Sequence, residues 1–243
     1  MIHESVQIGR YAVIEEGVSI GAGSVIGHHA VIHAGSILGE GVRVDDFACI
    51  GKKPSRAANS AVTSEDPLPP CVIGAYCILG THTVIYRGAA LGERCLAADY
   101  AVVREDVFVG EGSILGKGVT IENHSRIGCW TKIQTNAYIT AYSEIGNHCF
   151  IAPGVVTSND NFAGRSPERF HHFKGVTVRD GGRIGAGAVI LPGKTIGEDG
   201  FAAAGSVVTR DIPPGMIAAG NPARLLKEVP ADQLLSAQEK LGS

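Results

Sequence analysis

The sequence predicts an all-β chain wound as a solenoid of short parallel strands. Three observations carry that expectation. An aliphatic residue recurs every six positions, as in Ile2, Ile8, Ile14, Ile20, Ile26, Ile32, Leu38, Val44 and Ile50. Glycine often follows it, as at Gly9, Gly21, Gly27, Gly39 and Gly51. The residue four places after it is small or β-branched, as at Ala12, Val18, Ser24, Ala30, Ser36, Val42 and Ala48. A helix would repeat at three and four and a plain strand at two, so a period of six fits short strands joined by regular bends. The aliphatic and the small residue both point inward, and glycine is expected to ease the bend. Stacked coils then pair in ladders about 4.8 Å apart, each covering the face its neighbour would otherwise expose.

The period survives two interruptions. It resumes at Ile73 and runs to Thr157, then resumes at Val178 and runs to Val208, for thirty hexads in all. The first interruption, about 52–70, is rich in Pro, Ser and Ala. The second, about 163–175, carries Arg165, Arg169, His171, His172 and Lys174. Loops on a rigid scaffold commonly carry function. Residues 1–213 therefore read as one repeat domain and 214–243 as a C-terminal extension. Within that extension, 231–241 places Leu234, Leu235 and Leu241 at roughly helical spacing. A short α-helix is expected there, over the open end of the solenoid.

Composition narrows the function classes. Apolar residues make up 44% of the chain, enough for a sizeable core, and the net charge of −3 argues against a nucleic-acid surface, which needs clustered Lys and Arg. Met1-Ile2-His3-Glu4-Ser5 lacks the basic region and apolar run of a signal peptide, and no stretch approaches the roughly 18 apolar residues of a membrane span. A cytoplasmic protein is expected. The six cysteines form no Cys-x-x-Cys pair and read as free thiols filling small core positions.

The repeated [LIV]-G-x-x-[small]-x pattern, over about residues 2–213, resembles the hexapeptide-repeat acyltransferases. That resemblance implies a left-handed parallel β-helix with three hexads per coil, a hand opposite to the usual crossover rule. Thirty hexads then make about ten coils. Both insertions follow a multiple of three hexads, so both should leave the prism at the same corner. The resemblance also implies a homotrimer with active sites between subunits.

A closer resemblance lies in Lys132-Ile133-Gln134-Thr135-Asn136 and in Ile151 to Asp160, which ends Thr157-Ser158-Asn159-Asp160. These stretches are similar to those of enzymes that N-acetylate nucleotide-linked amino sugars, although Thr135 and Ser158 interrupt the match. The resemblance implies that Asn136 holds the substrate amine, with Gln134, Asn159 and the loop residue Arg165 near the substrate. The donor would be acetyl-CoA, and no metal is expected. The C-terminal coils, with Ala186, Gly187, Ala204 and Gly205, look like the family's smooth groove for a pantetheine arm. Asn221-Pro222-Ala223-Arg224 resembles its terminal motif. Lys194, Arg210, Arg224 and Lys227 are placed to meet CoA phosphates as charge-assisted donors.

With three hexads per coil, residues eighteen apart stack. Cys77, Cys95, Ser113, Thr131 and Cys149 share an inward position and read as core fillers. His124, Tyr142 and Asp160 share an outward one. That column reads either as a solvated edge or as the wall of a site, with His124 as general base and Asp160 as orienter or base. His148 shares another edge with Trp130, while His28, His29 and His82 read as isolated surface residues.

Three other classes compete. An acyl-carrier-protein-dependent acyltransferase of lipid A type fits the N-terminus and the insertion after three coils, but not the short C-terminal extension. A γ-type carbonic anhydrase needs three His around zinc, and His82, His124 and His148 fall in three different columns. A non-catalytic hexapeptide scaffold is the third, because fold alone does not settle function.

Overall fold

The computed structural model describes residues 1–63 and 66–238. Its strands are almost all two residues long and stack into three parallel faces. The first face starts at Gln7–Ile8, the second at Val13–Ile14 and the third at Ser19–Ile20. Gln7 pairs with Val25 and Val13 with Val31, so each coil is eighteen residues, as the three-hexad reading expects. We call the corner between first and second faces the first edge, that between second and third the second edge, and the remaining corner the third edge.

Each hexad divides its labour. The aliphatic residue is buried, and Ile26, Ile32, Leu79, Ile121, Ile133 and Ile151 form one continuous core. The inward small position is buried too, and its polar members do more than fill space. Ser113 Oγ donates to Gly128 O at 2.7 Å and accepts from Thr131 N at 3.0 Å. Thr131 Oγ1 repeats this one coil on, with Gly146 O at 2.7 Å and Cys149 N at 3.0 Å. The column is thus a buried donor–acceptor ladder, which satisfies backbone groups that water cannot reach.

The glycines after the aliphatic residues serve a different purpose from the one expected. Gly128 has no positive φ, but a Cβ there would lie 2.5 Å from the carbonyl carbon of Gly146 in the next coil. Close approach of successive coils, and not the bend, demands glycine at this place. The bend falls two residues later, where non-glycine residues adopt left-handed backbone: Tyr100 at φ 60°, His124 at 57°, Asn136 at 58° and His148 at 52°. Each costs roughly 1–2 kcal/mol. An amide hydrogen bond to the preceding coil offsets part of that cost, as from Asn136 N to Lys117 O at 2.9 Å.

Both insertions leave at the second edge, as expected: one follows Cys49–Lys52, the other Val156–Thr157, and both strands belong to the second face. The coil count is higher than ten. The first face holds twelve strands because Met216–Gly220 adds a parallel rung beside Phe201–Ala202, and Ala223–Glu228 returns antiparallel to it. These residues had read as extension because no hexad pattern marks them.

The end of the chain also differs from expectation. A 3-10 turn at Ala231–Gln233 and a short helix at Leu235–Gln238 lie against the third edge, not over the end. Leu235 N donates to Asp199 Oδ1 at 2.9 Å, and Arg183 Nη1 donates to Gln233 Oε1 at 3.2 Å. On the first face the returning strand Ala223–Glu228 already covers the last parallel rung. Leu241 lies outside the described residues. Among the described residues no helix is long and apolar enough to cross a membrane.

Candidate active site

The second edge concentrates titratable side chains, and both loops reach it. Asp106, His124, Tyr142 and Asp160 occupy the same hexad position on successive coils. The His124 ring stacks on Tyr142 with centroids 5.1 Å apart, and its Nδ1 lies 3.4 Å from Asp106 Oδ2. A carboxylate near Nδ1 is the arrangement that can orient an imidazole. Burial pushes the Tyr142 hydroxyl above its ordinary range.

Asp160 opens the second loop. Burial alone would raise its carboxyl, but amide donors from Gly164 and Phe162 and the Arg169 guanidinium hold it below the usual range. Arg169 Nε stands 3.0 Å from Asp160 Oδ2, and its guanidinium lies over the rings of Phe170 and Phe173. The loop arginine that meets the column is therefore Arg169. Arg165, four residues earlier in the loop, is exposed.

Sequence reasoning missed a group one position inward. Arg104 donates to both Glu105 oxygens at 2.8 and 2.9 Å and stands 3.4 Å from Glu122 Oε2. Its guanidinium also lies over Tyr86, at 4.9 Å. Glu122 is pushed up by burial, partly countered by Arg104. Asn123 Nδ2 donates to Val62 O of the first loop at 2.6 Å, and its Oδ1 is buried without a partner. Ala61 and Val62 from the first loop and Arg169 and Phe173 from the second close a cavity of about 160 Å³ over Glu122, Tyr138 and Asn159. A hexad-by-hexad alignment would have flagged the run Arg104, Glu105, Glu122, Asn123, since polar or charged residues at two adjacent positions recur on successive coils.

The remaining sequence candidates lie elsewhere. Asn136 is exposed on the first edge, with Gln134 just before it. Below Asn136 on that edge come Gly154, Gly187 and Gly205, where a Cβ would meet nothing within 4 Å. Ala186 and Ala204 flank this bare strip and are exposed. Above Asn136 and Gly118 the same edge carries Tyr11, His29, Phe47, His82 and Tyr100, stacked at 5.0 to 5.1 Å. His29 and His82 are thus ladder members, not isolated residues. His28 Nδ1 accepts from Arg10 N at 2.8 Å. Lys194 and Arg210 follow strands of the second face, beyond Asp160, and Arg224 lies in the antiparallel strand of the first. His148 stands on the third edge, beside Arg183, Asp199 and Gln233. His82, His124 and His148 therefore occupy three different edges. The second face separates Asn136 from His124, so one chain does not bring these two together.

The cysteines also divide. Cys71, Cys77, Cys95 and Cys149 are buried fillers as expected, but Cys49 and Cys129 are only half-buried. Burial pushes the thiols of Cys71 and Cys149 up to about 12.

Residues 1–34 match the bacterial transferase hexapeptide (six repeats) family. A hexapeptide-repeat containing acetyltransferase from Vibrio cholerae is 30% identical, over 50% of this chain and 73% of its own, with a TM-score of 0.45. The perosamine N-acetyltransferase of Caulobacter crescentus, solved with CoA and GDP-perosamine, is 31% identical over 55% of this chain and 57% of its own, with a TM-score of 0.48. The bifunctional protein GlmU of Rubrobacter xylanophilus is 31% identical over 54% of this chain, which spans only 26% of that protein.

Proposed function

The chain belongs to the hexapeptide-repeat transferases, and we propose that it transfers an acetyl group from acetyl-CoA to the amino group of a nucleotide-linked amino sugar. The observation that carries the reading is His124, stacked on Tyr142 with Asp106 Oδ2 3.4 Å from its Nδ1, on the edge that both loops reach. The Gln134-Thr135-Asn136 and Thr157 to Asp160 stretches support the amine acceptor. The bare strip of Gly154, Gly187 and Gly205 supports a narrow donor arm, because no side chain obstructs it.

The reaction asks little covalent chemistry of the protein. The acceptor nitrogen attacks the thioester carbonyl carbon, and the carbonyl oxygen takes up negative charge. Collapse expels the CoA thiolate. His124 Nε2 takes the proton lost by nitrogen and returns it to the departing sulfur. Holding the two reactants together supplies much of the rate, and base assistance contributes about 10²–10⁴-fold. Asn136 lies on the first edge and His124 on the second, so the site is completed when the first edge of one copy faces the second edge of its neighbour. A homotrimer satisfies that requirement three times, and the cytoplasm supplies both substrates.

Thermal unfolding with acetyl-CoA is the first test. A ligand at about 100 times its Kd adds about 2.7 kcal/mol of stability. A stabilised protein that also releases thiol in the presence of GDP- or UDP-linked amino sugars supports the reading. No stabilisation by any CoA species overturns it.

A further inference from the structure

Near the start of the second edge, three side chains from successive coils form a hydrogen-bonded line outside the site above. Cys49 Sγ lies 3.4 Å from His33 Nε2, and His33 Nδ1 lies 3.1 Å from Glu15 Oε1. The other Glu15 oxygen accepts from Ala34 N at 2.8 Å. That amide bond, with the His33 ring, holds the Glu15 carboxyl below its ordinary range. Glu15 is thus a carboxylate that accepts the Nδ1–H hydrogen bond and turns the Nε2 lone pair toward the thiol.

The repeat explains how the imidazole reaches the sulfur. Glu15, His33 and Gly51 each follow the buried aliphatic residue of their coil. Gly51 adopts φ +81°, and a Cβ there would run into Ser36 Oγ and stand 3.3 Å from His33 Cβ. Ser36 and His33 thus occupy the space a side chain at 51 would need, and the His33 ring lies against the neighbouring column. Cys49 sits in that column at the outward position of its strand, between Val31 and Val84.

The surroundings favour an anionic ligand. A cleft of about 480 Å³ includes all three residues with Lys52, Lys53 and Arg87, so three cations face one carboxylate. A second cleft of about 600 Å³ shares Lys53 and Arg87 and adds Asp66, so across both clefts three cations face two carboxylates. Burial raises the Cys49 thiol, with Lys52 opposing, so the sulfur rests protonated at neutral pH and its attack needs a base.

We propose that Cys49, His33 and Glu15 form a second reactive site, which accepts an acyl group from a phosphorylated acyl thioester. Cys49 Sγ attacks the thioester carbonyl carbon as His33 Nε2 takes its proton. The tetrahedral adduct expels the donor thiolate, and His33 returns the proton to it. Cys49 is left as an acyl thioester and the donor leaves as a free thiol. This site shares only its donor class with the reading above and needs no acceptor sugar.

The test incubates the full chain with acetyl-CoA alone and maps S-acetylation by peptide mass spectrometry. Cys129 is the internal comparison, being half-buried with no imidazole hydrogen-bonded to its sulfur among the described residues. Cys49 is expected to acetylate about 100-fold faster than Cys129, and His33→Gln to remove that advantage. Cys49→Ala abolishes the labelled peptide and leaves amino-sugar acetylation unchanged. Should His33→Gln unfold, Glu15→Gln, read by the same ratio and by its pH profile, replaces it. Equal labelling of Cys49 and Cys129 overturns the site, and so does a rate indifferent to both substitutions. Equal rates with acetyl-CoA and the phosphate-free acetyl-N-acetylcysteamine overturn the phosphorylated donor. An unlabelled Cys49 in a protein that still acetylates amino sugars sinks this proposal alone; a labelled Cys49 in one that does not sinks the other alone.

Discussion

His124 and Asp106 stand one coil apart at the same hexad position, both in left-handed backbone, with Nδ1 and Oδ2 3.4 Å apart. His33 and Glu15 are related by the same eighteen-residue step, at 3.1 Å. In each pair a carboxylate on the preceding coil stands beside an imidazole on the next, and the His33 ring is hydrogen-bonded to its own. The repeat that stacks aliphatic side chains inside the prism therefore also stacks acid over base outside it.

For the first pair we expect His124→Ala to lower kcat/KM for amine acetylation by about 100-fold or more, the scale of a lost general base. Asp106→Asn should cost less and act chiefly on kcat, because the ring remains and only its orientation suffers. Steady-state kinetics with an amino-sugar nucleotide checks both. A change of threefold or less for His124→Ala would remove it from the mechanism.

Asn136 and His124 belong to different edges, so a mixture of the two single variants should recover activity. Co-expressed His124→Ala and Asn136→Ala chains are expected to show more acetylation than either variant alone, since some shared sites receive both intact residues. Mixed oligomers no more active than their parents would place both residues in one chain's site or outside catalysis.

Glu122 offers a test by pH. Its carboxyl is raised by burial in the folded protein, so folding favours the protonated form. That contribution is complete below the unfolded value, about 4.3, and is lost as pH rises through the higher folded value. Glu122→Gln removes the charged form and leaves Arg104 its two bonds to Glu105. The variant should melt higher than wild type at pH 7, with the difference shrinking toward pH 4. A variant that melts lower at pH 7 would show that the Arg104 contact outweighs burial.

Two glycines separate close approach from backbone freedom. At Gly128 a Cβ would meet the backbone of the next coil at 2.5 Å, so Gly128→Ala should cost about 1–3 kcal/mol or more. At Gly154, φ is +68° with open space around it, and Gly154→Ala should cost only about 1 kcal/mol. At about 2–4 °C per kcal/mol for a chain of this size, melting curves resolve the difference. Equal losses would mean that the coils can spread to admit a methyl group.

The sequence made the fold legible because a solenoid writes its geometry locally. Ile127 and Ile145, eighteen residues apart, are paired neighbours on the third face, so period alone predicts the contact. The rung at Met216–Gly220 was not legible, since it is held by pairing and not by the hexad pattern. The site was legible only in part. His124, Tyr142 and Asp160 followed from counting by eighteen, but the Asp160 partner Arg169 depends on how a loop folds back. Cys49 read as a filler along with the other cysteines, but it lies at an outward strand position between Val31 and Val84. Its link to His33 crosses between columns, beside Gly51, where Ser36 and His33 leave no room for a side chain.

The eighteen-residue step acts on this gene much as a codon acts on a message. Deleting one whole coil shortens the prism and leaves every later residue on its own edge. Deleting one hexad ahead of Gly118 keeps the buried aliphatics buried, yet turns everything downstream by one face. His124 would land on the first edge and Asn136 on the third, in a chain whose core looks unharmed. The two loops escape this rule because each departs from and returns to the same corner: Ile37 pairs with Val72, thirty-five residues on, and Glu144 with Thr177, thirty-three on. Length can therefore drift freely in the loops, while the coils admit insertions and deletions only in frame.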